Sequence, residues 1–425
     1  MPATVVIGAQ WGDEAKGKLV DSLAESASLV ARFNGGDNAG HTVINAYGTF
    51  KVRLVPNGFS TPGAVCVIGP GVVVNLNTLI QEIAMIEASG LALSERLWVS
   101  PRCHVVMPYH PLVEGIYETA KATGRTGTTG RGMGPVYADK VSYNGIRLYD
   151  LRQRDVLLEK LRTQLEVKNR LLEAFQVAPL QAEQVADELL ARYECVRLVV
   201  REPFGIVQEA LQAGQEILLE GAQGSLLDNT WGTYPFCTAS DTLSGGAGSG
   251  LGVAPRWIER VVGVAKAYTS RVGAGPMPTE LLDTTGEILR QEGQEYGTVT
   301  GRPRRCGWLD AEALRFTCQL NGVSELALTK LDVLDTLPVI KVCTGYRAPG
   351  WARPAHYWEG DAAWLATVQP IYEELPGWQQ PTRLVRAFDD LPANARAYVR
   401  RVQELTGVKV SIVSVGPERS ESIFL

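Results

Sequence analysis

The feature that most constrains this chain is a repeated alternation of two patterns: short apolar, β-branched runs, and longer stretches with helical spacing. The runs lie at 4–7, 29–33, 65–68, 97–99, 217–219, 261–265, 326–329, 340–343 and 410–415. Most are apolar at successive positions, which suits strands covered on both faces. Helical patterns at 79–87, 157–175, 182–198 and 394–405 lie between them. This order predicts an α/β fold with a large, mostly parallel β-sheet covered by helices. Ligands in such folds bind beyond the carboxyl ends of the strands. No Ser/Pro linker or internal repeat divides the chain, so a single domain is expected over 1–425, with a helical insertion at about 151–213.

Glycine adds a second constraint. The chain holds 44, and the segments 8–40, 124–134 and 221–252 carry 6, 5 and 8 of them. Glycine is needed where backbone turns sharply or approaches a ligand, so these segments are candidate site loops. The net charge of −5 argues against a general nucleic-acid binder. No run of 18 apolar residues suggests a membrane span. Seven scattered cysteines without a Cys-x-x-Cys pair, and an N-terminus without a basic region, lead us to expect a reducing, cytoplasmic location.

The first glycine segment follows the first strand. Gly12-Asp13-Glu14-Ala15-Lys16-Gly17-Lys18 has the spacing G-x-x-x-x-G-K and runs into a helical pattern at 19–24. Backbone N–H groups at such a turn can hold phosphate oxygens, with Lys18 reaching the terminal phosphates. Leu19 stands where Ser or Thr would hold Mg²⁺, so Asp13 is the candidate metal ligand or base. The second strand ends in a Gly/Asn loop, Asn34 to Thr42, that carries His41, a candidate acid for phosphoryl transfer. The 123–135 loop, with Arg125, Thr129 and Arg131, is rich in donors suited to phosphate. A third begins at Glu220-Gly221-Ala222-Gln223 and continues to Thr238. Arg302, Arg304 and Arg305 crowd a Thr/Gly loop that can bind carboxylate or phosphate. Thr329-Lys330-Leu331-Asp332 ends another strand. An aspartate there can accept the N1–H and 2-amino hydrogens of guanine, which suggests GTP.

These residues carry a family resemblance. Gln10–Lys18, Asn38–Thr42, Gly127–Pro135, Gly221–Asp228, Ala267–Glu280, Thr300–Asp310, Leu328–Asp335 and Gly416–Arg419 resemble, in order, the motifs of the adenylosuccinate synthetases. The resemblance implies GTP-dependent ligation of IMP and L-aspartate through 6-phosphoryl-IMP, the first committed step of AMP synthesis from IMP. It implies Asp13 as base and His41 as acid, and one Mg²⁺ per subunit on Asp13 and the Gly40 carbonyl. GTP contacts then fall on Gly12, Asp13, Glu14, Ala15, Lys16, Gly17, Lys18, Arg304, Lys330, Leu331, Asp332, Ser414, Val415 and Gly416. IMP contacts fall on Asp13, Lys16, Asn38, His41, Thr129, Gln223, Thr238 and Arg302. Aspartate contacts fall on Thr298, Val299, Thr300, Gly301, Arg302 and Arg304. A homodimer is also implied.

The chain departs from the family pattern at a few positions. Ala15 replaces a glycine of the phosphate loop, at a cost of roughly 1 kcal/mol if φ is positive there. Pro303 interrupts the arginine run. Tyr143 stands where the family usually has an arginine that reaches IMP phosphate from the neighbouring subunit, so weaker phosphate binding, or compensation by Arg125, Arg131 or Arg147, is expected. Two rivals differ in these same residues. A relative acting on another purine nucleotide would replace Asp13, and a non-catalytic GTP switch would need neither His41 nor the arginine loop.

Overall fold

A computed structural model describes residues 3–297, 301–350 and 358–425. The main sheet is built from β1 (Ala3–Gly8), β2 (Leu29–Arg32), β3 (Val65–Ile68), β4 (Leu97–Val99), β5 (Ile217–Glu220), β6 (Ile258–Lys266), β7 (Glu325–Thr329), β8 (Val410–Ser414) and β9 (Ser422–Phe424). Its spatial order is β9-β8-β7-β6-β1-β5-β2-β3-β4. All neighbouring pairs are parallel except β8–β9.

The doubly apolar pattern has a direct cause in the layering. Val5 and Ile7 point into one core, with Tyr398 and Val399 of the helix Ala393–Thr406. Val6, between them, points into the other, against Leu19 and Val20 of the helix Lys16–Leu23. All three are fully buried. At about 1.5–3 kcal/mol for each buried aliphatic side chain, a polar residue at any of these positions would cost more than most surface changes.

Two expectations are refined. The 151–213 stretch divides in two. Helices Arg154–Ala174 and Ala182–Val196 pack with Leu79 and Ile86 in a separate core. The helix Phe204–Gln212 instead sends Val207 and Leu211 into the core beneath the main sheet. The insertion therefore ends near Val200, which bridges to Val99. The apolar run at 340–343 forms a strand, but outside the main sheet. It belongs to Val339–Arg347, which pairs with Leu309–Asp310 and Gln369–Pro376 in a smaller sheet.

Candidate active site

Six strands in a row, β8-β7-β6-β1-β5-β2, end on one side of the sheet and hand their loops to one cavity of about 1080 Å³. Its wall includes Gly12, Asp13, Ala15, Lys16, Gly17, Lys18, Asn38, Gly40, His41, Thr129, Gln223, Thr238, Gly301, Arg304, Lys330, Asp332, Ser414 and Gly416. Residues as distant in sequence as Lys18 and Ser414 thus share one surface. The parallel order requires this, because every strand points the same way.

The turn after β1 is built from left-handed residues. Gly12, Asp13 and Ala15 have φ of 88°, 61° and 67°. Ala15 therefore does occupy the conformation that a glycine would adopt more easily. The turn closes on Glu14, whose carboxylate accepts from Gln10 N at 3.1 Å, Gly12 N at 2.7 Å and Lys16 Nζ at 2.6 Å. The Gly12 amide is thus committed inward. Lys18 also differs from the phosphate-loop expectation. Its ammonium donates to Ser414 Oγ at 2.7 Å, Gly416 O at 2.6 Å and Glu421 O at 3.1 Å. Burial lowers its pKa to about 8, against the pull of Glu421 and Asp332.

His41 begins a hairpin of His41–Asn45 and Gly48–Val52 that leans on the first helix. Gly17 makes that approach possible: a Cβ there would lie 2.8 Å from His41 Cβ. His41 Nδ1 lies 2.9 Å from Glu220 Oε1. Asn57 Nδ2 donates to the same oxygen at 2.6 Å, and Asn57 N donates to Oε2 at 2.8 Å. Glu220 is the last residue of β5, level with Arg32 of β2. His41 Nδ1 also lies 2.6 Å from Asn57 Nδ2, and the carboxylate beside it favours a proton on that nitrogen. Burial pulls the His41 pKa down, and Glu220 partly restores it. Burial alone would raise Glu220, but His41 and Arg32 hold it below the ordinary glutamate range.

Another part of the cavity wall carries Asp332. Asp332 follows Lys330, which has φ 58°, just past β7. The Asp332 Oδ1 atom is buried without a hydrogen-bond partner among the described residues. Burial raises its pKa to about 6. Such an acceptor suits a ligand N–H. Arg304 lines the same wall. Its Nε is 3.0 Å from Asp13 Oδ2, and Nη1 donates to Glu295 Oε2 at 2.7 Å.

Glu14, Leu331 and Val415 have fully buried side chains away from the cavity wall, which leaves only their backbone groups to meet a ligand. Arg302 is exposed and donates to Gly127 O at 2.9 Å and Thr128 O at 3.2 Å, so it links the 301–305 segment to the second glycine loop. Gln223, with φ 58°, donates to Asn38 Oδ1 at 3.1 Å. Thr298, Val299 and Thr300 lie outside the described residues. Glu220, Asn57, Lys266 and Glu295 were not foreseen. Only Glu220 had a visible signal, as the charged last residue of an apolar strand opening a glycine loop.

The chemistry gathered here narrows the class. Lys16, Arg304 and Lys330 can meet anions, His41 and Asp13 can handle protons, and Asp332 offers a base-sized acceptor. Together with the parallel sheet, they define an α/β nucleotide-dependent enzyme. The model of the family described as adenylosuccinate synthetase matches residues 5–423. Adenylosuccinate synthetases of Dehalococcoides mccartyi and Desulforudis audaxviator are 45% and 48% identical. Each alignment covers all of this chain, with 100% and 98% of the relative. A solved structure of the fully ligated adenylosuccinate synthetase from Plasmodium falciparum superposes with a TM-score of 0.94 at 34% identity, covering 100% of both chains. The chain belongs to the adenylosuccinate synthetase family.

Proposed function

We propose that Asp13 and His41 carry out the phosphoryl-transfer half of the reaction, with guanine held at Asp332 and IMP between the glycine loops. Family membership carries the overall reaction, the GTP-dependent joining of IMP and aspartate in AMP synthesis. The observation that supports the site reading best is that Asp13, His41 and Asp332 share one cavity of a size suited to large ligands.

Asp13 takes the N1 proton of IMP and so makes O6 nucleophilic. O6 attacks the γ-phosphorus of GTP, a new P–O bond forms, and the bond to the bridging oxygen breaks to release GDP. His41, held at Nδ1 by Glu220, acts as the doubly protonated imidazolium and donates from Nε2 to the oxygen on which charge develops. The aspartate amine then attacks C6, the C6–O bond breaks, and phosphate leaves. This order is chemically sensible because an oxo group is a poor leaving group and phosphate a good one. Arg302, Arg304 and the 298–301 segment are assigned to the carboxylates of aspartate, as guanidiniums bind them bidentately.

The Asp13 carboxylate and Gly40 carbonyl are hard oxygen donors on one cavity wall, and fit the sparse protein ligation that Mg²⁺ takes beside phosphates. Mg²⁺ bound there would neutralise phosphate charge. The end of the helix Met133–Val141 exposes Val141 (72%) and Tyr143 (98%), an apolar surface that suits a second copy of the chain. We assign the protein to the cytoplasm, and no helix among the described residues is long and apolar enough to cross a membrane.

The test is phosphate release from GTP with IMP and aspartate omitted in turn. Release requires both substrates, and Asp13→Ala abolishes it at an unchanged circular dichroism spectrum. IMP-independent hydrolysis, or activity in Asp13→Ala, would overturn the assignment.

A further inference from the structure

Behind the cavity wall lies a carboxylate that no step above uses. Glu295 is fully buried and receives five donors. Its Oε1 accepts from Lys266 Nζ at 2.7 Å, Lys330 Nζ at 2.8 Å and the Tyr268 hydroxyl. Its Oε2 accepts from Arg304 Nη1 at 2.7 Å and Ser270 Oγ at 3.1 Å. The donors come from separate places: the end of β6, Tyr268 and the strand Thr269–Arg271 that follow it, the turn after β7, and the arginine segment.

Two of those donors continue into the cavity. Arg304 Nε also lies 3.0 Å from Asp13 Oδ2, so the guanidinium is ion-paired with two carboxylates. Lys330 lies two residues before Asp332, and its ammonium is pinned by Glu295 and by Gly293 O at 2.6 Å. The Glu295 main chain adds a third tie, because its carbonyl accepts from Arg304 N at 2.8 Å. One side chain therefore fixes a residue beside the proposed base and a residue beside the proposed guanine acceptor.

The electrostatics agree with the geometry. Burial alone would raise the Glu295 pKa, yet Lys266, Lys330 and Arg304 hold it well below the ordinary range. A carboxylate that stays ionised in a buried setting does so because its partners are fixed. An amide of the same size offers one acceptor oxygen where five donors converge. At least one cation then loses its partner, and Lys330 and Arg304 are the two that can swing towards the cavity.

We propose that Glu295 is a positioning residue that sets the Lys330 ammonium for guanine and the Arg304 guanidinium for aspartate, and so couples the two ends of the cavity. This rests on the assignment of guanine to Lys330 and Asp332 given above. The tests are Glu295→Gln and the milder Tyr268→Phe, which removes one donor from Glu295. Tyr268 is fully buried and absent from the cavity wall.

Binding of a fluorescent GDP analogue is measured without IMP or aspartate, and the KM for aspartate and for IMP in full turnover. Glu295→Gln should weaken the GDP analogue by tenfold or more and raise the aspartate KM by a similar factor, with the IMP KM within threefold of the wild type. Tyr268→Phe should move the same two constants in the same direction, by about two- to fivefold. A purely structural role would lower the melting temperature of both variants and leave these constants alone, which overturns the proposal. If Glu295→Gln fails to fold, Tyr268→Phe decides the outcome by the same two constants. A wild-type protein that does not bind the GDP analogue would refute the guanine assignment itself. Wild-type binding with unchanged variants refutes only the role of Glu295.

Discussion

Replacing Glu220 by glutamine isolates one electrostatic element of the site without changing its shape. Glu220, itself fully buried, collects Asn57 N at 2.8 Å, Asn57 Nδ2 at 2.6 Å and His41 Nδ1 at 2.9 Å. Glutamine has one acceptor oxygen, so one of these donors faces an N–H. An unsatisfied buried donor costs about 1–3 kcal/mol of stability. The kinetic effect follows from the lost charge. Hydrogen bonds to a charged group contribute about 1.5–3 kcal/mol, and each 1.36 kcal/mol is tenfold in rate. On the proposed role His41 donates as the imidazolium, so its whole interaction with the Glu220 carboxylate is lost in the transition state of the variant. The expected fall in kcat is about 10- to 150-fold, with the KM for GTP and IMP little changed. The assay is steady-state phosphate release at saturating substrates, beside a thermal melt. A second signature is a shift in pH dependence: Glu220 raises the His41 pKa, so a limb of the kcat profile that reports His41 should move to lower pH in Glu220→Gln. A variant with a wild-type melt and kcat within threefold of wild type would refute the view that Glu220 works through His41.

Three further outcomes can be checked. On the proposed assignment guanine binding needs Asp332 ionised, and burial raises its pKa to about 6, so the affinity for GDP should fall by up to tenfold per pH unit below 6. A titration that stays flat to pH 5 would contradict the assignment. Tyr143→Arg should lower the KM for IMP by about tenfold if a partner subunit reads the phosphate there, since a charged hydrogen bond contributes about 1.5 kcal/mol. No change would mean that a residue such as Arg131, which lies 3.7 Å from Asp37, already supplies the charge. Ala15→Gly relieves roughly 1 kcal/mol of left-handed strain but adds about 0.4–1 kcal/mol of unfolded-chain entropy. A melting temperature within about 2 °C of wild type is expected, and a loss of 5 °C would show that the alanine methyl packs usefully.

The strands and long helices were legible because their signal is local. Val5, Val6 and Ile7 announce a doubly covered strand without reference to anything else in the chain. The positions of Asp13, His41 and Asp332 at strand ends followed from the same local grammar plus the rule for parallel sheets. What stayed hidden depends on tertiary partners. Nothing near Glu295 in sequence reveals that Lys266 and Lys330 converge on it, and Asn57 sits in an unremarkable turn. Lys18 shows the converse case. Its spacing suits a phosphate loop, yet Ser414 and Gly416, from the other end of the chain, capture its ammonium. The boundary of the helical insertion was blurred for a similar reason: Phe204–Gln212 has the same helical pattern as its neighbours, and only its packing under β5 separates it from them.

The capture of Lys18 by Ser414 and Gly416 also bears on synthesis. The wall of the cavity is complete only when β8, the last parallel strand, has been translated and paired with β7. A chain that has emerged as far as the turn after β7 already holds Asp13, His41 and Asp332, yet lacks the Ser414 and Gly416 acceptors of Lys18. Closure of the proposed nucleotide site on that side therefore waits for the segment that carries β8.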